Sequence, residues 1–243
     1  PINHAQTRLM GRGIIHQPDD IRDDNPPSNP ELLAYLEKEF IASHYDLKHL
    51  YRLILTSTTY QFSSVSRYSS PQAEANFASY PLRRLEAEVL IDAVNKITGT
   101  SDLYTSPIPE PFTYIPNDMS AIMIADGSIT SPFLTLFGRS ARATGMESER
   151  NNNPVPAQWL YMLNSSFIQR KLEQGPHLKA IFKSRRKPPE IAKELYLTIL
   201  SRFPTQQELK TVAEYVRSTR SRRHAAIDVT WALINSTEFL YRH

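Results

Sequence analysis

Apolar residues recur at helical spacing on both sides of a proline-studded stretch that no long helix can cross. That alternation constrains the fold more than any other feature of the 243-residue chain. Upstream, Ser28-Asn29-Pro30-Glu31 reads as a capping box, with Ser28 as the cap and Glu31 bonding back three residues later. Leu32, Leu33, Leu36, Phe40 and Ile41 follow on one helical face. Asp46 is placed to cap a second helix bearing Leu47, Leu50, Leu53 and Ile54. Ser63 to Ser70 reads as a loop ending at Pro71, and a third helix is predicted from Leu82 to Ile97, with Leu85, Val89, Ala93 and Ile97 inward and Gly99 as its stop.

Residues 99–153 then carry Pro107, Pro109, Pro111, Pro116 and Pro132, so this stretch is predicted to be irregular, with one short strand at Ala121–Ala125. An irregular segment of this length inside a compact domain is usually functional or mobile. Helical spacing returns after Asn153-Pro154 in Trp159, Leu160, Leu163, Phe167, Ile168 and Leu172. Pro188-Pro189-Glu190 opens a further helix, Thr205-Gln206-Gln207-Glu208 forms a second capping box, and a last helix is predicted from Arg223 to Phe239 with Ile227, Trp231 and Ile234 inward. The reading is all-α: a helical N-terminal part (1–98), a Pro-rich irregular middle (99–153) and a C-terminal helical bundle (154–243), together one compact unit cut from a larger protein.

Composition removes several function classes. Hydrophobic residues at 40% and charged residues at 22% are ordinary globular values, so global disorder is excluded. No apolar run approaches the roughly 20 residues that span a bilayer. The first residues carry neither a basic region nor an apolar core of a signal peptide, so any targeting signal is expected upstream. Cysteine is absent, which excludes disulfides, thiolate metal sites, Cys nucleophiles and covalent c-type haem in this chain. Charge is uneven. Residues 1–150 hold 13 Lys/Arg against 18 Asp/Glu, and residues 151–243 hold 15 against 7. Either the halves attract one another or the basic half faces an anionic partner.

Three polar clusters carry the candidate chemistry. Asp19, Asp20, Asp23 and Asp24, with His16 and Asn25, offer oxygen ligands to a divalent cation, the one candidate cofactor. Their architectural reading is a capped turn or ion pairs with Arg12 or Arg22. Arg139, Arg142, Glu147, Glu149 and Arg150 end the irregular segment. Glu147 and Glu149 are a carboxylate pair able to divide acid and base roles, with Arg12, Arg139, Arg142 and Arg150 positioning charge. The same alternation also builds an Arg–carboxylate lattice that holds a loop down. The basic runs Lys183, Arg185, Arg186, Lys187 and Arg217, Arg220, Arg222, Arg223 lack interleaved aromatics or a recognition motif, so they read as solvated helix ends and not as a nucleic-acid site. His44 and His49 are five residues apart and do not share a helix face, and no zincin or serine-hydrolase order is present.

A set of stretches in fixed order carries a resemblance. Asn3 with Arg8-Leu9-Met10-Gly11-Arg12-Gly13-Ile14 is similar to the pattern N-R-x-W-x-R-L-F-G-R-G-L. Asp19-Asp20-Ile21-Arg22 and Asn25 through Leu33 resemble D-D-F-R-x-x-N-P-P-S-H-P-E-L-L. Tyr45-Asp46-Leu47-Lys48, Arg52-Leu53-Ile54 and Thr59-Tyr60-Gln61 match the next helix. Arg84-Leu85-Glu86-Ala87-Glu88 follows R-L-x-A-E, and Phe137-Gly138-Arg139 through Glu147, Glu149 and Arg150 follows F-G-R-P-x-R-x-x-x-C-E-C-E-R. Leu163-Asn164, Glu194-Leu195-Tyr196-Leu197, Ser201-Arg202-Phe203-Pro204-Thr205 and Leu233 to Phe239 complete the series. The whole resembles the planctomycete-type, cytochrome-associated C-terminal domain family, domain of unknown function 1553. Met146 and Ser148 replace its two cysteines, His4 its Arg and Gln6 its Trp.

The resemblance implies an exported, extracytoplasmic multi-domain protein with upstream domains, a c-type cytochrome segment among them, and it implies no chemistry. The expected function is therefore a non-catalytic interaction or scaffolding module, with those upstream domains or an assembly partner as its partners. The alternatives are a carboxylate-dependent hydrolase acting on polysaccharide and an anionic-polymer or nucleic-acid binder using the basic C-terminal half.

Overall fold

The computed structural model describes residues 1–67, 70–140, 150–151, 153–184, 186–219 and 221–242. It is mainly helical, as the spacing predicts, and its internal contacts divide it into two compact units, Pro1–Arg83 and the described residues from Arg84 to Arg242.

In the first unit, α1 (Ile2–Met10), α2 (Pro30–Ala42), α3 (Leu47–Leu55) and the short α4 (Pro71–Ala75) surround a core that includes Ile2, Met10, Ile14, Leu36, Phe40, Leu50 and Ile54. The α2 cap differs from expectation. Asn29, not Ser28, accepts from the Leu32 N–H at 2.9 Å. Ser28 is committed elsewhere, since its hydroxyl donates to the Ile14 and Ala75 carbonyls. Asp46 caps α3 as predicted, at 2.8 Å from the Lys48 N–H. The end of α1 is closed twice. Gly11 takes a left-handed conformation with its N–H on the Thr7 carbonyl, and the Arg83 guanidinium donates to the Arg8 and Leu9 carbonyls at 3.0 and 2.7 Å. A Cβ on Gly11 would stand 2.7 Å from the Arg83 side chain, so glycine serves both the turn and the approach.

The second unit is built around α5 (Ala87–Thr98), which packs on a 3-10 turn (Ala121–Met123), α6 (Pro132–Leu136), α8 (Ser166–Gln174) and α9 (Pro176–Lys183). Before α8 comes α7 (Pro156–Asn164). Then α10 (Pro188–Leu200), α11 (Gln206–Ser218) and α12 (Arg222–Ile234) pack on one another as the expected bundle, followed by α13 (Thr237–Leu240). Thr205 and Glu208 form the predicted capping box of α11, and Gly99 ends α5 in the left-handed conformation.

Four details of the second unit depart from the sequence reading, the first being that the predicted Arg223–Phe239 helix stops at Ile234 and resumes as α13, capped by Ser236. Because Arg83–Arg84 is extended, α5 starts at Ala87, and its buried face is Leu90, Ile91, Val94 and Ile97. Ala121–Met123 is a 3-10 turn instead of a strand, because the Asp92 carboxylate accepts from the Ala121 and Ile122 N–H groups at 2.8 and 3.0 Å and draws them onto α5. The predicted Trp159–Leu172 helix is broken at Ser165, whose hydroxyl caps α8, and this leaves Trp159, Leu160 and Leu163 exposed.

Candidate functional site

The second unit buries a carboxylate that the sequence reading did not single out. Glu88 on α5 is 5% exposed and receives both Arg150 terminal nitrogens at 2.9 Å, a two-pronged guanidinium–carboxylate pair. Arg139 Nε stands 3.4 Å from the same carboxylate. The remaining Arg139 nitrogens donate to the backbone carbonyls of Ile129, of Ile124 at 2.9 Å and of Asp126 at 3.3 Å. One arginine thus ties the irregular segment to α5. Burial alone would raise the Glu88 pKa, but the hydrogen bonds from Arg150 and the charges of both arginines outweigh it and hold Glu88 below the ordinary carboxylate range. Burial draws Arg139 down, and Glu88 opposes that.

Arg139 and Arg150 therefore meet around Glu88, and Arg150 also reaches Glu86 at 3.8 Å. Arg142, Glu147 and Glu149 lie outside the described residues. Gly138 sets the geometry: its φ is +87°, and a Cβ there would fall on the Asn151 backbone.

In the first unit three of the four candidate aspartates are held by basic side chains. Asp19 lies 2.8 Å from His4 Nε2, and Arg22 Nε stands 2.6 Å from Asp20 and 3.5 Å from Asp24. Among the described residues, no group of three or more His, Asp or Glu is placed to hold a metal ion. Arg12 buries its Nε with no hydrogen-bond partner among the described residues.

Two further polar clusters in the second unit were not legible as sites. Lys171 and Asp102, each 7% exposed, pair at 2.7 Å. The ammonium also donates to Asn95 Oδ1 at 2.6 Å and Thr100 Oγ1 at 3.0 Å, and it sits over the Phe167 ring at 4.8 Å. This network lies at the edge of an open cleft of about 570 Å³ walled by Phe133, Tyr161 and Phe167. The three ammonium protons are matched by Asp102, Asn95 and Thr100, so Lys171 has no proton to spare for a ligand. The other cluster joins Arg202 to Glu238 at 2.6 and 2.7 Å and to Glu208 at 3.0 and 2.9 Å. Hydrogen bonds from Arg202 lead the effects that lower Glu208 to about 2.

Neither a curated protein nor a solved structure gives a match to this chain. A family model does: PSD1, described as a protein of unknown function (DUF1553), covers residues 1–216. That span takes in Asn3 and Gly13, the Glu88–Arg139–Arg150 lattice, and the Arg202–Glu208 half of the second cluster. The chain belongs to the DUF1553 (PSD1) family.

Proposed function

We propose that this chain is a non-catalytic interaction module of an exported, multi-domain, cytochrome-associated protein, docking through an apolar face of α7. The observation that carries this reading is the exposure of Trp159 (43%), Leu160 (58%) and Leu163 (40%) on a nine-residue helix. Residues three and four apart stand together on a helix surface, so these side chains form one apolar patch. Burial of such surface contributes roughly 25 cal/mol per Å², and contiguous exposed patches are characteristic of interaction sites. The charged groups point the same way. Glu88, Arg139 and Arg150 bind one another, as do Lys171 and Asp102, and as do Arg202, Glu208 and Glu238. The family resemblance supplies the partner class: other domains of the same polypeptide, a c-type cytochrome domain among them.

The test is calorimetric titration of this chain with the separately produced upstream region of its polypeptide. Saturable binding is expected, lost in Leu160→Glu while the unfolding midpoint is unchanged. A well-folded wild-type chain with no affinity for that region refutes the proposal.

A further inference from the structure

Helices α10, α11 and α12 enclose an open groove of about 550 Å³. Val212 and Val229 give it an aliphatic lining, and Tyr196, Tyr215 and Trp231 line it with aromatic rings beside the Asp228 carboxylate. The polar atoms of two of these rings are already occupied. The Tyr215 hydroxyl donates to Asp228 Oδ2 at 2.6 Å. The Trp231 indole N–H donates to the Leu163 carbonyl at 3.2 Å. Tyr196 carries Arg202 over its ring at 5.4 Å, and that arginine is more than neutralised by Glu208 and Glu238.

No Lys, Arg or His of the described residues pairs with Asp228. This is an uncompensated carboxylate beside aromatic rings, in a half of the chain where basic residues outnumber acidic ones 15 to 7. Aromatic faces and a nearby carboxylate together attract a cation. The mainly apolar lining of the groove narrows the class. A primary ammonium brings three N–H donors and a guanidinium five, and buried donors without acceptors are costly. A quaternary ammonium has no N–H, and aromatic faces with one carboxylate meet its needs.

We infer that this groove binds a quaternary ammonium head group. The inference is independent of the α7 patch.

The experiment titrates Trp159→Phe, in which Trp231 is the one tryptophan left, with choline chloride and follows fluorescence at constant ionic strength. Its control is 3,3-dimethylbutan-1-ol, which has the same shape and no charge. Saturable quenching by choline is expected, with the alcohol weaker by roughly tenfold. Asp228→Asn should weaken choline by a similar factor and leave the alcohol unchanged. Equal response to the two probes, absence of saturation, or an Asp228→Asn variant that binds choline like its parent each overturns the proposal. The indole N–H signal of Trp231 in the NMR spectrum of the unaltered chain gives the same readout without the Trp159 substitution. Phosphatidylcholine vesicles added in a further arm separate the sources: a response to free choline alone assigns a solute, and a response to both assigns a lipid head group.

Discussion

Replacing Glu88 by glutamine removes a buried negative charge and nearly preserves the shape of the side chain. The carboxylate is 5% exposed and faces two guanidinium groups, Arg150 through two 2.9 Å hydrogen bonds and Arg139 at 3.4 Å. Unit charges about 4 Å apart attract by roughly 4 kcal/mol at an effective dielectric constant of about 20. Most of that is offset by the cost of taking the ions out of water, so the lattice as a whole contributes little net stability. Breaking it is a different matter. In Glu88→Gln Arg139 loses its buried counter-charge, Arg150 keeps Glu86 at 3.8 Å, and Arg139 cannot swing into water because its other nitrogens hold Ile124, Asp126 and Ile129. The expected loss is about 3–5 kcal/mol. Urea unfolding followed by tryptophan fluorescence measures it, and both tryptophans, Trp159 and Trp231, lie in the second unit with Glu88. A loss below about 1 kcal/mol, the worth of an exposed pair, would show that the guanidiniums find water.

The pH dependence gives a second reading of the same variant. Glu88 is held below the ordinary carboxylate range in the folded chain. Its contribution is therefore complete above the unfolded value of about 4.3 and disappears as pH falls through the folded value. The wild-type acid limb should contain this loss, and Glu88→Gln should lack it.

Gly138→Ala forces a Cβ onto the Asn151 backbone at a φ of +87° and should cost about 3 kcal/mol or more in the same urea assay. Lys171→Met leaves Asp102 buried without its cation and should cost about 3–5 kcal/mol, a large part of it recovered in the Lys171→Met, Asp102→Asn double variant. The Glu208 carboxyl should titrate near 2 in a side-chain NMR experiment and return toward its ordinary value in Arg202→Met; the stability it contributes, present above the unfolded value of about 4.3, is lost as pH falls toward 2. Thr205→Ala removes the α11 cap and should cost about 1 kcal/mol.

Where local chemistry decides, the sequence was readable. Asp46 and Thr205 cap the helices they precede, and Gly99 stops α5, because each acts within four residues of its own position. The errors arise where a distant partner outcompetes a local signal. Ser28 is a good cap by its neighbours, yet the Ile14 and Ala75 carbonyls claim its hydroxyl and Asn29 takes over. Ala121 to Met123 has the composition of a strand, yet Asp92, 29 residues earlier than Ala121, takes its N–H groups. Trp159, Leu160 and Leu163 have core spacing but face outward, since periodicity identifies an apolar face without saying what covers it. Glu88 was hidden for a related reason: its partners are 51 and 62 residues away, and its local context, two acidic residues at a helix start, is that of an ordinary first turn.

The stretches that carry the family resemblance meet one another in space. Asn3 brackets the Ile15 backbone, accepting from its N–H and donating to its carbonyl at 3.0 Å each, and Gly13 gives that clamp room, since a Cβ there would stand 2.5 Å from Asn3 Oδ1. Glu88 joins Arg139 and Arg150, and Arg202 joins Glu238. Each pairing is buried or saturated within its own unit, which is what residues that hold an irregular chain in place require. Two features of another kind remain among the described residues: the apolar face of α7, and Asp228, which accepts from Tyr215 but pairs with no Lys, Arg or His. On physical grounds the described motif residues are part of the frame, and the recognition we propose uses surfaces outside them.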